Sequence, residues 1–498
     1  MLAWTIYISF LAAAFLMFLP GDNPRPAKVT ALLAALAGLA CALMGVIQCR
    51  EHAGAGVLTD VVNAPWIAEL GIRYHLAADG ISLVLVLLTG IAAVAGVLFS
   101  WNVETRSREF FALYLALIGG VYGVFLSVDL FLLFVFYEVA IIPKYFLIAI
   151  WGSTRREYGA MKLALYSFVG SAMVLVGLIA AYVVAGAKTF DLVELAKHSH
   201  SFPAAFQNWA FIVVFVGFAI LAGLWPFHTW APTGHVAAPT AASMLLAGVV
   251  MKLGAYGALR VAMTLFPIGL HTWQNTIAAL AVVGIVYGAL VALVQQDFKF
   301  VIGYSSVSHM GFVLLGLMTL TQIGLSGAVL QMFSHGIIAG LLFAVVGRMV
   351  YDRTHTRDLA ELQPMNLNQV LPFAAATFVV GCAASMGLPG FSGFIAELQV
   401  LVGAWQTFPV FAVLAAAGIL AGVAYTLRVL LKAFFAEGVV DARARPRCER
   451  ISLPERAGAL LLLAATLIVG LCPRLLLDLI TPSLNSPLMK PLWKAGLP

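Results

Sequence analysis

The chain of 498 residues is 62% hydrophobic and only 10% charged, with a mean hydropathy of +1.00. Soluble domains carry about 25% charged residues, so this composition excludes a soluble enzyme and predicts an all-α polytopic membrane protein. The formal charge of +6 is accounted for by loop topology rather than a nucleic-acid partner. Five cysteines (Cys41, Cys49, Cys382, Cys448 and Cys472) show neither CxxC nor metal-ligand spacing, which signals no disulfide frame and no metal site.

Apolar runs of about twenty residues can cross a bilayer as helices. In chain order they fall at 2–19, 28–48, 79–100, 109–127, 129–150, 160–186 and 207–227. The rest are 236–258, 272–294, 299–320, 323–350, 369–390, 409–435 and 456–473, giving about fourteen transmembrane helices. The first lacks a basic n-region and a cleavage site and reads as a span, not a removed signal. Residues 49–78 read as a long outer loop, 188–206 as a short amphipathic helix at the interface, and the tail beyond Pro473 as another interfacial segment. The resulting divisions are 1–108 with spans one to three, 109–258 with spans four to eight, 259–435 with spans nine to thirteen, and 436–498 with the last span and tail.

Loop charge sets the orientation. Odd-numbered loops carry 17 Lys and Arg and even-numbered loops carry five, among them Arg260. The positive-inside bias then puts the odd loops in the cytoplasm and both termini outside.

Ionisable side chains inside these runs are costly and therefore informative. Lys252 is an isolated charge in AASMLLAGVVMKLGAYGALR, just after the broken stretch WPFHTWAPTGHVAAPT with His228 and His235. Glu138 and Lys144 lie in span five, His309 in span ten, His335 in span eleven, and Glu397 after the break in LPGFSGFIAEL. A row of such groups at similar depth suits a proton relay, with histidine in the middle because its ordinary pKa is about 6.5. Each also has a structural alternative: a helix–helix hydrogen bond for Glu138, His309 and His335, a counter-ion role for Lys252, and loose backbone donors for Glu397. Lys144 reads equally as a lysine snorkelling to an interface, and His228 and His235 as supports of unwound backbone. Spans seven and twelve are both interrupted by Pro and Gly, a pattern that in transporters marks a site near the midplane.

The run FHTWAPTGHVAAPTAASMLLAGVVMKLGAYGALR, with DFKFVIGYSSVSHMGFVLLG, FSHGIIAGLLFAVVGRMVYDRTHTRDL and LPGFSGFIAELQVL, resembles the antiporter-like subunits of respiratory complex I. The SVSHMGF histidine and Glu397 are most similar to the bacterial M-type subunit, and the likeness covers about residues 75–435. This resemblance implies two inverted five-helix repeats with discontinuous helices seven and twelve. It also implies a proton route through Glu138, Lys252, His309, His335 and Glu397. Glu138 would modulate a neighbouring lysine, Lys252 would feed a central file with His309 and His335, and Glu397 would serve the exit half. It implies a bacterial inner-membrane subunit of NADH:quinone oxidoreductase with no redox cofactor of its own, and L-, N- and K-type membrane-arm subunits as partners in the bilayer. The alternatives are an Mrp-type cation/proton antiporter subunit and a structural subunit that conducts no protons.

The chain departs from that pattern at one place. The family is expected to carry a lysine five residues before Pro226, where this sequence has Leu221, and APTGHVAAP lacks the two acids of the usual LPDAHVEAP. Glu138 is left without its expected partner. Lys144, six residues on, is about 9 Å along the axis and roughly 240° around it. His228, Lys162 and Lys144 are the candidate substitutes.

Overall fold

The computed structural model describes every residue except 21–22, 52–56, 437–447, 490–491 and 493–498. Arg443, Arg445 and Arg447, which belong to the odd-loop charges counted above, lie outside the described residues, as do Lys490 and Lys494 of the tail. Among the described residues, twelve helices are long and apolar enough to cross a membrane, and Ala3–Phe18 (α1) and Pro372–Ser385 (α14) are shorter apolar helices.

In order, the elements after α1 are α2 (Pro24–Glu51), a β-hairpin of β1 (Thr59–Ile67) and β2 (Ile72–Ala78), α3 (Gly80–Phe99), α4 (Ser107–Leu126), α5 (Leu130–Trp151) and α6 (Arg156–Ala185). Then come α7 (Leu192–His198), α8 (Ala204–Ala222), α9 (Trp230–Ala237), α10 (Thr240–Met263), α11 (Pro267–Val294), α12 (Phe298–Met318) and α13 (Gln322–Thr354). The chain closes with α14, α15 (Ser392–Thr407), α16 (Pro409–Phe434), α17 (Leu453–Leu471) and α18 (Arg474–Leu484). Residues 59–78 therefore form an antiparallel hairpin, not the loop expected. The alternation that would announce it is broken by irregular register at Asp60/Val62 and Pro65/Ile67.

Short polar residues start the helices. Asp79, Asp129, Asp191 and Asp297 each accept hydrogen bonds from backbone N–H groups in the first turn that follows, satisfying donors a helix start leaves open. Two of these starts repeat one construction. Leu130 N donates to Phe190 O at 2.8 Å and Leu192 N to Val128 O at 3.0 Å, while Phe298 N donates to Arg357 O at 2.8 Å and Leu359 N to Gln296 O at 3.0 Å. The first lies on the face that bears the hairpin, where Leu76 bridges Ser127. The second lies on the opposite face, reached after α11 recrosses the bundle.

Helices α10 and α13 are buried throughout their most apolar stretches and form the centre. Rim helices α2, α6, α11 and α16 turn residues such as Leu33, Leu165, Leu290 and Leu420 outward, the apolar surface that helices present to lipid. The two central helices cross at glycine. A Cβ on Gly336 would lie 2.5 Å from Gly248 O, and one on Gly248 would lie 3.1 Å from Gly336 O. Small residues let backbones approach this closely. Both helices also carry π-helical turns, Leu246–Val250 in α10 and Val345–Tyr351 in α13, which leave carbonyls out of the regular ladder.

At the hairpin face, His75 Nδ1 lies 2.6 Å from Asp191 Oδ2 and Nε2 lies 2.9 Å from Asp60 Oδ1. Both ring nitrogens can donate only in the imidazolium. Burial opposes that charge, but the hydrogen bonds and charges of Asp191 and Asp60 outweigh it and His75 is held above its ordinary pKa. For Asp191, burial is outweighed by His75 and by the N–H groups of Glu194 and Val193, so its pKa is lowered.

Two outcomes follow. Gly336→Ala should cost about 1–3 kcal/mol by forcing α10 and α13 apart, read as a lower unfolding temperature in detergent; an unchanged temperature would refute the tight crossing. The His75 contribution is fully present below about pH 6.5 and lost as pH rises through its raised value, while that of Asp191 is lost as pH falls through its depressed one. Hydrogen-exchange protection of the hairpin, corrected for intrinsic rate, should therefore fall from mildly acidic to alkaline pH, and His75→Ala should remove that dependence.

Candidate functional site

Lys252 is fully buried in α10. Its Nζ donates to Ala247 O, a carbonyl in the π-helical turn one turn earlier. On the other side it meets His335 Nδ1 of α13 at 2.8 Å, a contact made possible by the adjacent Gly248–Gly336 crossing. When Lys252 donates in this contact, Nδ1 accepts and is unprotonated, which puts the proton of a neutral His335 on Nε2. The rings of His335 and His309 stack at 5.5 Å with 28° between their planes. His309 Nδ1 then lies 2.9 Å from Glu397 Oε1 and its Nε2 3.3 Å from Ser385 Oγ. Gln331, one turn before His335, donates to Glu397 Oε1 at 3.2 Å. The structure thus brings Lys252, His335, His309 and Glu397 into one continuous file drawn from α10, α13, α12 and α15. Glu397 engages side chains there rather than loose backbone donors.

The breaks in the seventh and twelfth crossings shape this file. Helix α8 stops at Gly223 (φ +83°), and the chain resumes at α9. Helix α14 stops before Gly387 (φ +70°) and Gly390 (φ +98°), and α15 then presents Glu397. Positive φ is the conformation glycine adopts without strain. Beside the break, Ser334 Oγ meets Ser392 Oγ at 2.8 Å, and Ser392 Oγ meets Thr466 Oγ1 at 2.9 Å.

The secondary candidates separate. His235 is buried, its ring 5.3 Å from that of Phe343, and the charges that act on it are those of Lys252 and Lys299. It stands between the file and a cavity of about 300 Å³ on the face opposite the hairpin, which Glu104, Ser153, Lys299, Arg348 and Asp352 line. Lys299 Nζ donates to Ala238 O at 3.1 Å. His228 lies farther off, its ring 5.3 Å from Tyr287, and Lys162 Nζ contacts Thr233 Oγ1 at 3.4 Å. Leu221 is buried in α8. Glu138 is half-buried and Lys144 fully buried, so Lys144 does not snorkel to an interface.

Sequence reasoning missed a second polar line. Lys252, Tyr256 and Arg260 follow one another at i, i+4 and i+8, the spacing of one helix face. Tyr256 OH meets Ser82 Oγ at 3.0 Å and donates to Phe125 O at 3.1 Å. Arg260, expected in an outer loop, is instead buried within α10 and ion-paired with Asp79, the residue that caps α3. Asp79 in turn lines a cavity of about 630 Å³ at the hairpin face with Asp60, Arg73, His75, Asp191 and Glu194. The spacing was visible in the sequence, but the partner 181 positions away was not.

Breaking such a pair from one side strands a buried charge. Asp79→Asn should therefore destabilise the protein by about 3–5 kcal/mol, whereas Asp79→Leu with Arg260→Met should cost much less. Thermal unfolding of the three variants in detergent checks this, and a double variant as unstable as the single one would contradict it.

Comparison with known proteins places this geometry. The family model described as NADH:quinone oxidoreductase/Mrp antiporter, transmembrane region, matches residues 127–422. NADH-quinone oxidoreductase subunit M of Rhodobacter capsulatus is 38% identical over 494 residues, covering 96% of this chain and 94% of that protein. In the solved respiratory complex I from Thermus thermophilus with bound NADH, one chain matches with a TM-score of 0.87 at 28% identity, over 99% of this chain and 100% of that one. A chain of the Mrp complex from Dietzia sp. DQ12-45-1b shares the fold, with a TM-score of 0.86 at 23% identity, over 98% and 97% of the two chains. The sequence match along nearly the whole chain and the shared bundle agree: the chain belongs to the NADH:quinone oxidoreductase/Mrp antiporter transmembrane family.

Proposed function

We propose that this chain is the proton-translocating M-type subunit of a bacterial NADH:quinone oxidoreductase, with no redox centre of its own. The observation that carries the reading is the buried file Lys252–His335–His309–Glu397, in which Lys252–His335 and His309–Glu397 each join a group that can give a proton to one that can take it, with the two imidazole rings stacked between them. A proton leaving the Lys252 ammonium protonates His335 Nδ1. The imidazolium then releases its Nε2 proton toward His309, with water bridging the stacked rings, and His309 passes one to Glu397. Each transfer changes the charge felt by the next group through a low-dielectric interior, which couples the steps.

The cavity of Glu104, Lys299 and Asp352 is the proton source in this reading, with His235 linking it to Lys252. That face is cytoplasmic by the distribution of loop lysines and arginines, so the hairpin and both termini face the periplasm of an inner membrane. The two groups 109–258 and 259–435 form inverted repeats, supported by the matching bridges at Asp129–Asp191 and Asp297–Asp358 on opposite faces. The charge that drives the relay comes from partner membrane-arm subunits of the L, N and K types. The likeness to the Mrp complex is one of fold, and the relative matched along nearly the whole chain is a subunit M.

In sealed vesicles containing the intact complex, Lys252→Ala should lower the rate of proton uptake about tenfold or more while the complex stays assembled. Normal pumping per electron would refute the relay and leave the chain a scaffold.

A further inference from the structure

A second lysine is buried without a role in the file. On α5, Leu133, Tyr137, Ile141, Lys144 and Ile148 form the inward stripe, each 0–1% exposed. The Lys144 Nζ has no hydrogen-bond partner among the described residues. Packing does not explain it: a methionine or leucine would fill that space without the cost of an ammonium in the bundle. Glu138, one residue off the stripe, has Ser171 as a neighbour, while its Oε1 is buried and also without a partner. The carboxylate whose charge acts on Lys144 is that of Glu138.

Depth places this pair against the broken helix. Helices α5 and α8 start from the same face, since α5 begins at Asp129, bridged to Asp191, and α8 follows from Asp191 through α7. Both run in the same direction and pack against α6, and they meet at one ring contact, Tyr137 with Phe218, 5.8 Å apart. From that contact, Leu221 is about 4.5 Å deeper on α8 and the Cα of Lys144 about 10 Å deeper on α5. A helical side chain points back toward its own helix start. The four-carbon stem of Lys144 therefore returns the ammonium toward the level where α8 offers only the apolar Leu221.

We propose that Lys144 is a second proton-carrying lysine of this chain, sharing α5 with Glu138 and serving the position that Leu221 leaves uncharged. The proposal rests on the proton-relay reading above. Loaded, Lys144 is an ammonium whose nearest acid along its own helix is Glu138, six residues earlier. Unloading hands one proton on toward Lys252 and leaves a neutral amine, which one proton from the cytoplasmic side refills. Lys144 is thus a group that must titrate, not a fixed counter-ion.

The test uses the intact complex in sealed vesicles, with assembly measured for each variant and Lys252→Ala as reference. Lys144→Met should lower proton uptake about tenfold. Lys144→Arg should fail equally, because a guanidinium keeps the charge but does not give up its proton. Adding Leu221→Lys to Lys144→Met should restore most of the uptake. Normal pumping by Lys144→Met beside a defective Lys252→Ala would overturn this inference and leave the relay standing. Normal pumping by Lys144→Arg would reduce Lys144 to a counter-ion, and failure of Leu221→Lys to rescue would refute its placement; either overturns the proposal. If Lys252→Ala also pumps normally, the relay reading falls first and takes this one with it.

Discussion

The structure depends on keeping an ammonium satisfied inside hydrocarbon. Lys252 sits in a helix buried on all sides, where an isolated charge costs several kcal/mol. Two backbone features meet that demand. The π-helical turn at Leu246–Val250 frees the Ala247 carbonyl, and the Gly248–Gly336 crossing brings α13 close enough to place His335 on the other side of the ammonium. Once His335 is fixed there, its stacking against His309 and the reach of His309 to Glu397 follow from the positions of α12 and α15. The glycines and the π-helical turn are thus part of the site, although they carry no charge.

The same demand explains the breaks. Continuous helices at the seventh and twelfth crossings would put regular ladders beside the file. The interruptions at Gly223 and at Gly387–Gly390 instead deliver His235 and Glu397 from fresh helix starts. The file has a polar neighbour on either side: the Lys299 cavity beyond His235 and the Tyr256–Arg260–Asp79 line toward the hairpin.

How much was legible in the sequence follows from separation along the chain. Lys252, Glu138, His309, His335 and Glu397 stood out because a titratable group in an apolar run is conspicuous whatever it contacts. Their pairings, such as His309 with Glu397 across 88 positions, are tertiary and leave no local mark. Arg260 was misplaced because it ends an apolar run and its partner, Asp79, opens another helix. The hairpin was missed because bulges and a proline interrupt its alternation. Lys144 could not be assigned from helical geometry alone, since six residues put it on a different face from Glu138; only its full burial shows that it turns inward.

In the proposed relay, protonation of Glu397 responds to charge at Lys252 through the two histidines. The most direct measurement is difference infrared spectroscopy of the intact complex during turnover, following the carboxyl band that Glu397→Gln removes. The band should change during turnover in the wild type and lose that change in Lys252→Met. A Glu397 carboxyl that stays silent, or responds identically without Lys252, would contradict the account.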